Sequence, residues 1–366
     1  MAILPRSRDA RRAMRAALAL LLLLVFCAPP VVGGGSDSAS GPATAGNIEA
    51  AAGLPARPLH TFSIVARDPV TGQLGVAVQS HWFSVGSVVT WAEAGVGAVA
   101  TQSFAEPAYG PRGLALMKQG LAAPEALRAL LAADPGEAVR QVAFVDARGV
   151  VATHTGARCI EAAGQFAGDG FSVQANMMHN DRVVPAMRAA YEAALAAGAD
   201  LPERLLRALE AAQAAGGDIR GQQSAAILVV AGVATGRPAD DRPLELRVED
   251  HAAPLAELRR LVGVWRAYGF MNAGDVAVER GDLAAALRAY AAADSLLPGN
   301  LEVRYWHAVT LATNGHVEQA LPVFRAVFAA DPSWAELTRR LTKPGLIPDT
   351  PEGRALLARI LREAPR

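Results

Sequence analysis

The sequence is short of several things at once. It holds two cysteines in 366 residues, and one of them, Cys27, sits in an apolar run near the start, so a processed chain keeps at most Cys159 and no internal disulfide. That excludes a disulfide-stapled scaffold and leaves packing as the source of stability. An excess of either charge is also missing, since Lys plus Arg and Asp plus Glu are each 35. Such a balance gives no electrostatic footprint for nucleic acid or for an anionic membrane surface. The seven histidines are scattered, and His154 and His179 read as strand and loop residues, so no metal and no cofactor is expected. No phosphate-cradling loop, paired-histidine zinc helix or serine elbow occurs. Gly95, Gly97 and Ala100 spell a loose dinucleotide-type fingerprint, but Thr101, Gln102, Ser103 and Pro107 follow where a helix is required, which favours a glycine-bearing hairpin.

A membrane-length apolar run is absent as well. Ala16 to Ala28 is 13 residues long, roughly 20 Å as a helix against a hydrocarbon core of roughly 30 Å. Arg6, Arg8, Arg11, Arg12 and Arg15 precede it with only Asp9 opposing, so this head carries +4 and the rest of the chain −4. That is signal-peptide architecture over residues 1–28, and it predicts export to the periplasm or the exterior with no transmembrane helix after signal removal. Leu24 to Cys27 loosely resembles a lipoprotein cleavage box, but Phe26 stands where a small residue is wanted, which disfavours a lipid anchor on Cys27. Arg11 and Arg12 do not complete a twin-arginine signal. Residues 29–58, rich in Gly, Ala, Ser and Pro, predict a flexible linker.

What the chain does have is 52% hydrophobic residues in two textures. From Leu59 to Asp250 short β-prone runs alternate with turn residues and a few helices. Phe62 to Ala66 and Leu74 to Gln79 form one predicted hairpin. Val88 to Trp91 and Gly97 to Thr101 form a second, and Gln141 to Val145 with Val150 to His154 a third. Phe171 to Ala175, Ser224 to Val230 and Leu244 to Val248 are further strands. Leu114 to Lys118, Glu125 to Leu131, Val183 to Ala196 and Pro202 to Ala215 carry helical spacing. Hairpins interrupted by helix pairs predict an α+β domain with antiparallel sheets and helices on their faces.

From Leu255 onward the texture is all helical, a tail over residues 254–363. Gly281 with Gly315, Ala286 with Ala320, Tyr290 with Phe324 and Pro298 with Pro332 match at one offset of 34 residues, the period of tetratricopeptide repeats. Two repeats are read, 267–300 and 301–334. Such repeats predict a protein partner in their groove; a homo-oligomer is left open.

The runs TFSIVARDPVTGQLGVAVQSHWFSVGSVV, VGAVATQSFAEPAYGPRG, RQVAFVD, FSVQANMM and GGDIRGQQSAAILVV together resemble the family called domain of unknown function 1028, over about Thr61 to Asp250. The resemblance implies an N-terminal-nucleophile hydrolase-like fold, a four-layer αββα sandwich. In that fold's chemistry the first residue of the mature domain is the nucleophile and its own α-amine the base, which works because an α-amine has a pKa of about 7.7 to 8.0. The matching residue is Thr61, placed directly after the initiator methionine in relatives without an export signal. Here its nitrogen lies in an amide with His60, so cleavage between the two is required.

Asn176 is a candidate oxyanion or substrate donor. Ser80, His81, Thr101, Gln102, Ser103, Gln174, Gln223 and Ser224, at or near strand ends, are candidate substrate-binding residues expected on one rim of the sandwich. The first reading is therefore an exported amidohydrolase acting on an amide or related C–N bond of a small or peptide-like substrate. The second is a non-catalytic module in which the sandwich and the helical repeats bind a ligand or protein, with Thr61 a β-branched strand opener.

Overall fold

The computed structural model describes Leu59 and residues 61–365; the expected signal peptide and the expected linker lie outside the described residues. Ten strands form two antiparallel sheets. The six-stranded sheet runs β10-β9-β2-β1-β8-β7 and the four-stranded sheet β3-β4-β5-β6. The strands are β1 Thr61–Arg67, β2 Leu74–Ser80, β3 Thr90–Glu93, β4 Gly97–Ser103, β5 Arg140–Asp146, β6 Val151–Thr155, β7 Gly164–Gly168, β8 Phe171–Ala175, β9 Ser224–Val230 and β10 Leu244–Val248.

Strand alternation divides the residues between faces. Val65, Val76, Val78, Ala98, Ala100, Val145 and Leu228 point between the sheets and form one buried cluster. Phe62, Ile64, Phe171, Val173 and Ile227 point the other way, into a cluster with two helices, α4 Val183–Ala196 and α5 Leu201–Ala214. Val99, Val142 and Phe144 do the same on the second sheet against α2 Tyr109–Lys118 and α3 Ala123–Ala132. The layers are thus helix, sheet, sheet, helix. Gly75 shows how close the outer layer lies, for a Cβ there would stand 2.7 Å from Leu205.

One local expectation is corrected. The run Val88 to Trp91 is not one strand: a short helix, α1 Gly86–Val89, precedes β3. One turn of helix lets Val85 and Val89, both fully buried, enter the inter-sheet cluster together at i and i+4, and Gly86 leaves room for Ala226, 2.5 Å from where its Cβ would stand. Tertiary packing thus overrides the β-propensity of two valines. Strand β7, with glycines at both ends and half-exposed residues, gave no local signal. The all-helical texture expected from Leu255 onward opens with one long helix, α6 Pro254–Glu279.

That helix carries two jobs along its length. Leu255, Leu258 and Val262 belong to the cluster on the outer face of the six-stranded sheet, while Ala267 and Met271 pack with Tyr290 in the tail. Then follow α7 Leu283–Leu296, α8 Leu301–Thr313, α9 Val317–Ala330, α10 Ser333–Arg339 and α11 Pro351–Leu361. The positions matched at the 34-residue offset have the expected packing: Ala286 and Ala320 are fully buried, as are Tyr290 and Phe324, and Gly281 and Gly315 turn the chain with φ 74° and 89°. Gly274 faces the ring of Tyr290, 2.9 Å from where a Cβ would stand. Among the described residues no helix is long and apolar enough to cross a membrane.

Candidate functional site

Half of the sandwich interior is not apolar. Strand register puts Gln165, Gln174 and Ser63 in one row across β7, β8 and β1, and Gln102, Gln141 and Thr155 in a facing row across β4, β5 and β6. Each of these residues sits on the inward phase of its strand. The rows are joined across the gap: Ser63 Oγ donates to Gln102 Oε1 at 2.6 Å, and Thr155 Oγ1 to Gln165 Oε1 at 2.7 Å. Within the rows Gln102 Nε2 donates to Gln141 Oε1 at 2.6 Å, and Gln174 Nε2 to Ser63 Oγ at 2.5 Å. Gln141 is the hub. Its Oε1 also accepts from Asn176 Nδ2 at 2.9 Å, and its Nε2 donates to Ala175 O and Thr155 Oγ1, both at 2.9 Å. All these side chains are neutral amides and hydroxyls, so the network escapes the desolvation cost of buried charge while its members satisfy one another.

Thr61 lies one step along β1 from this network. Asn176, Thr61, Ser80 and Ser224 follow one another across β8, β1, β2 and β9: Asn176 N–H donates to Thr61 O at 3.1 Å, and Thr61 pairs with Ser80, which pairs with Ser224. The Thr61 hydroxyl is fully buried. It donates to Leu59 O at 3.1 Å and lies 3.2 Å from Ser80 Oγ, while Thr61 O accepts from Gln102 Nε2 at 3.2 Å. Ser224 Oγ donates to Trp82 O at 2.5 Å and accepts from Val85 N–H at 3.1 Å. The hydroxyls of Thr61, Ser80 and Ser224 thus form one row, with the amides of Gln102, Gln174 and Asn176 beside it.

The remaining candidates fall elsewhere. Thr101 and Ser103 are on the opposite phase of β4 from Gln102 and face the outer layer, Thr101 donating to Glu106 O at 3.2 Å. Ser103 lies beside Cys159, whose thiol is pushed up by burial and donates to Arg140 O at 3.3 Å. His81 continues past β2, its N–H donating to Asp218 Oδ2 at 3.2 Å. Gln223 Nε2 reaches Asp250 at 3.2 Å in an exposed position. A single rim holding all ten residues is therefore not what forms. Six come together, and the alternation of β4 and the ends of β2 and β9 separate the other four.

Sequence reasoning missed Ser63, Gln141, Thr155, Gln165 and Ser172. The available signal was their phase: each is a polar residue on the strand phase that points between the sheets. It also missed Leu59, which pairs with Ser103 as an isolated antiparallel bridge. A surface cavity of about 720 Å³, lined by Glu93, Lys118, Asp146 and Val233, lies at the other end of the strands, beyond Gly97. Among the described residues no group of three or more His, Cys, Asp or Glu could hold a metal ion.

No curated protein matches the chain. Among solved structures it is similar to the DUF1028 protein SPO2555 from Silicibacter pomeroyi, 30% identical over 56% of this chain and 88% of that one, with a TM-score of 0.48. A tetratricopeptide repeat matches residues 277–341. The description "Family of unknown function (DUF1028)" matches residues 61–258, which begin at Thr61 and take in both rows of the buried network. Because that match spans more than half of the chain, the protein belongs to the DUF1028 family, extended at its C-terminal side by tetratricopeptide-type helices.

Proposed function

We propose that the sandwich is an exported hydrolase of the N-terminal-nucleophile type, acting on an amide or related C–N bond of a small or peptide-like substrate. Thr61 is its nucleophile once the chain is cut between His60 and Thr61. The observation that carries this reading is the placement of the Thr61 hydroxyl, buried at the head of β1 beside Ser80 and hydrogen-bonded to the main chain that precedes it. Cleavage frees the α-amine next to that hydroxyl. The amine takes the Oγ proton as Oγ adds to the substrate carbonyl, the C–N bond breaks, and the departing amine leaves with the proton. Water then hydrolyses the ester on Thr61 and restores the hydroxyl. Asn176, level with Thr61 and held by Gln141, is the donor assigned to the developing oxyanion in this reading.

Intact-mass measurement of the secreted protein tests the first step, with a chain beginning at Thr61 expected. The substitution Thr61→Ala is expected to leave the upstream peptide attached and to abolish labelling by an acylating probe. A mature wild-type chain that begins near Ala28 and works would sink the mechanism.

A second reading rests on the tail, whose repeat architecture suggests protein interaction. A groove of about 510 Å³ there is lined by Tyr268, Met271 and Trp306 and by the carboxylates of Asp275, Glu279 and Glu302. In this reading the sandwich is a binding module, and the uncut chain, with Thr61 sealed, is the working form. A full-length chain that retains its upstream peptide and still captures a partner through the groove would favour it.

A further inference from the structure

The residue two places before Thr61 is held as a strand residue. Leu59 N–H donates to Ser103 O at 2.5 Å, and Leu59 O accepts from Ser103 N–H at 2.8 Å, the reciprocal pair of an antiparallel ladder. The position exists because β3 is short. It covers β4 only from Gly97 to Ala100, while β4 runs on to Ser103, so the last part of that edge has no partner in β3. Ser103 adopts φ 67°, in the left-handed region that a residue with a Cβ enters at a cost. Its amide and carbonyl turn away from β5 toward Leu59. The Leu59 side chain, 6% exposed, joins the apolar cluster between the sheets with Val78, Val85 and Ala105.

We infer that this stretch of β4 edge is the acyl-side binding site for an extended peptide whose second residue before the scissile bond is apolar. The inference rests on the reading of Thr61 as nucleophile. A hydroxyl that releases its own α-amine acts first on the chain upstream of it, so the upstream chain is the first substrate and its contacts mark the subsites. The peptide backbone pairs with Ser103 as an added strand. Its apolar side chain takes the place of Leu59, where an ionised side chain would be desolvated without a partner.

The test uses the full chain cut in place before Thr61 by a site-specific protease, with its recognition sequence installed upstream and every residue from Thr61 kept. Titration calorimetry with acetyl-Pro-Leu-His, the sequence of positions 58–60, should show binding to the cut chain freed of its leader and none to the uncut chain. A peptide N-methylated at its leucine, which loses the bond to Ser103 O, should bind about tenfold more weakly. Replacing that leucine by aspartate should weaken binding by about a hundredfold. No binding by the parent peptide, or equal binding by all three, overturns the inference. Phenyl acetate, which has no peptide backbone, separates it from the reading beneath it. If Thr61 is acetylated while the peptides bind indifferently, only the strand site falls. If the peptide pattern holds and Thr61 stays unmodified, the nucleophile falls and the strand site stands.

Discussion

The two halves of the sandwich interior are built from the same strands by different means. Toward the Gly97 end of β4, Val65, Val76, Ala98 and Val145 meet as any two apolar sheet faces do. Toward the Ser103 end, Ser63, Gln102, Gln141 and Gln174 meet through hydrogen bonds between their side chains. Apolar packing is non-directional and tolerates adjustment, whereas an amide network holds only in one arrangement of its donors and acceptors. The polar half therefore holds Thr61 and Asn176 in defined places, and the apolar half supplies stability without positional demand.

The sharpest way to break this contrast is at its hub. Gln141→Ala strands the partners on both sheets, and we expect a loss of about 3–5 kcal/mol in urea unfolding. A loss under about 1 kcal/mol would show that the network is incidental. The apolar counterpart is Leu74→Ala, expected to cost about 2–4 kcal/mol through lost burial and a residual cavity. Its effect should be on stability alone, with the state of the His60–Thr61 bond unchanged by mass measurement.

The contrast extends to the seam between α5 and α6, where ion pairs flank the apolar cluster. Glu203 binds Arg259 at 2.8 Å and Arg266 at 3.3 Å, and Arg259 also binds Glu210 at 2.6 Å. Burial raises the Glu203 pKa, but hydrogen bonds from Arg207 and Arg259 outweigh it and hold the carboxyl at about 2. The folded value lies below the unfolded one of about 4.3. The contribution is therefore complete above about pH 4.3 and fades as pH falls toward 2. Glu203→Gln should cost about 1–2 kcal/mol at pH 7, and its difference from wild type should shrink across that window. A difference independent of pH would remove the ion pairs as its cause.

The smallest expected effect has the opposite sign. Gln79 is fully buried on the outward phase of β2, and neither atom of its amide has a hydrogen-bond partner among the described residues. Gln79→Met should raise stability by about 1 kcal/mol. A loss instead would show that the amide has a task, and that polar groups on the outer face resemble those inside.

How much of this was readable beforehand depends on the range of the interaction. The alternation in TFSIVAR assigns Phe62 and Ile64 to one face and Thr61 and Ser63 to the other with no knowledge of neighbours, because a strand has a period of two. The amphipathic helices and the offset of the tail repeats were visible for the same local reason. Gln141 could be seen to share the phase of Ala143 and Val145, but not to face Gln102 or Asn176. The helix at Gly86–Val89 went unseen because the inter-sheet core, not the Val-Val dipeptide, decides it. Of the candidate site, Thr61, Ser80, Gln102, Gln174, Asn176 and Ser224 were named and are together. Thr101 and Ser103 were named for lying at a strand end, which says nothing of the face on which they emerge.

By itself the sequence determined the faces of its strands and helices, the all-helical repeat after the sandwich, and the presence of a hydroxyl at the head of the first strand. Those properties follow from backbone periodicities of 2 and 3.6 residues, which act within a few positions. The tertiary structure alone decided which polar residues share the interior, and that Leu59 completes the edge of β4 and covers Thr61. These follow from which strands become neighbours and where β3 stops, contacts between residues on different strands that range from 10 to 111 positions apart along the chain, and no local pattern encodes them.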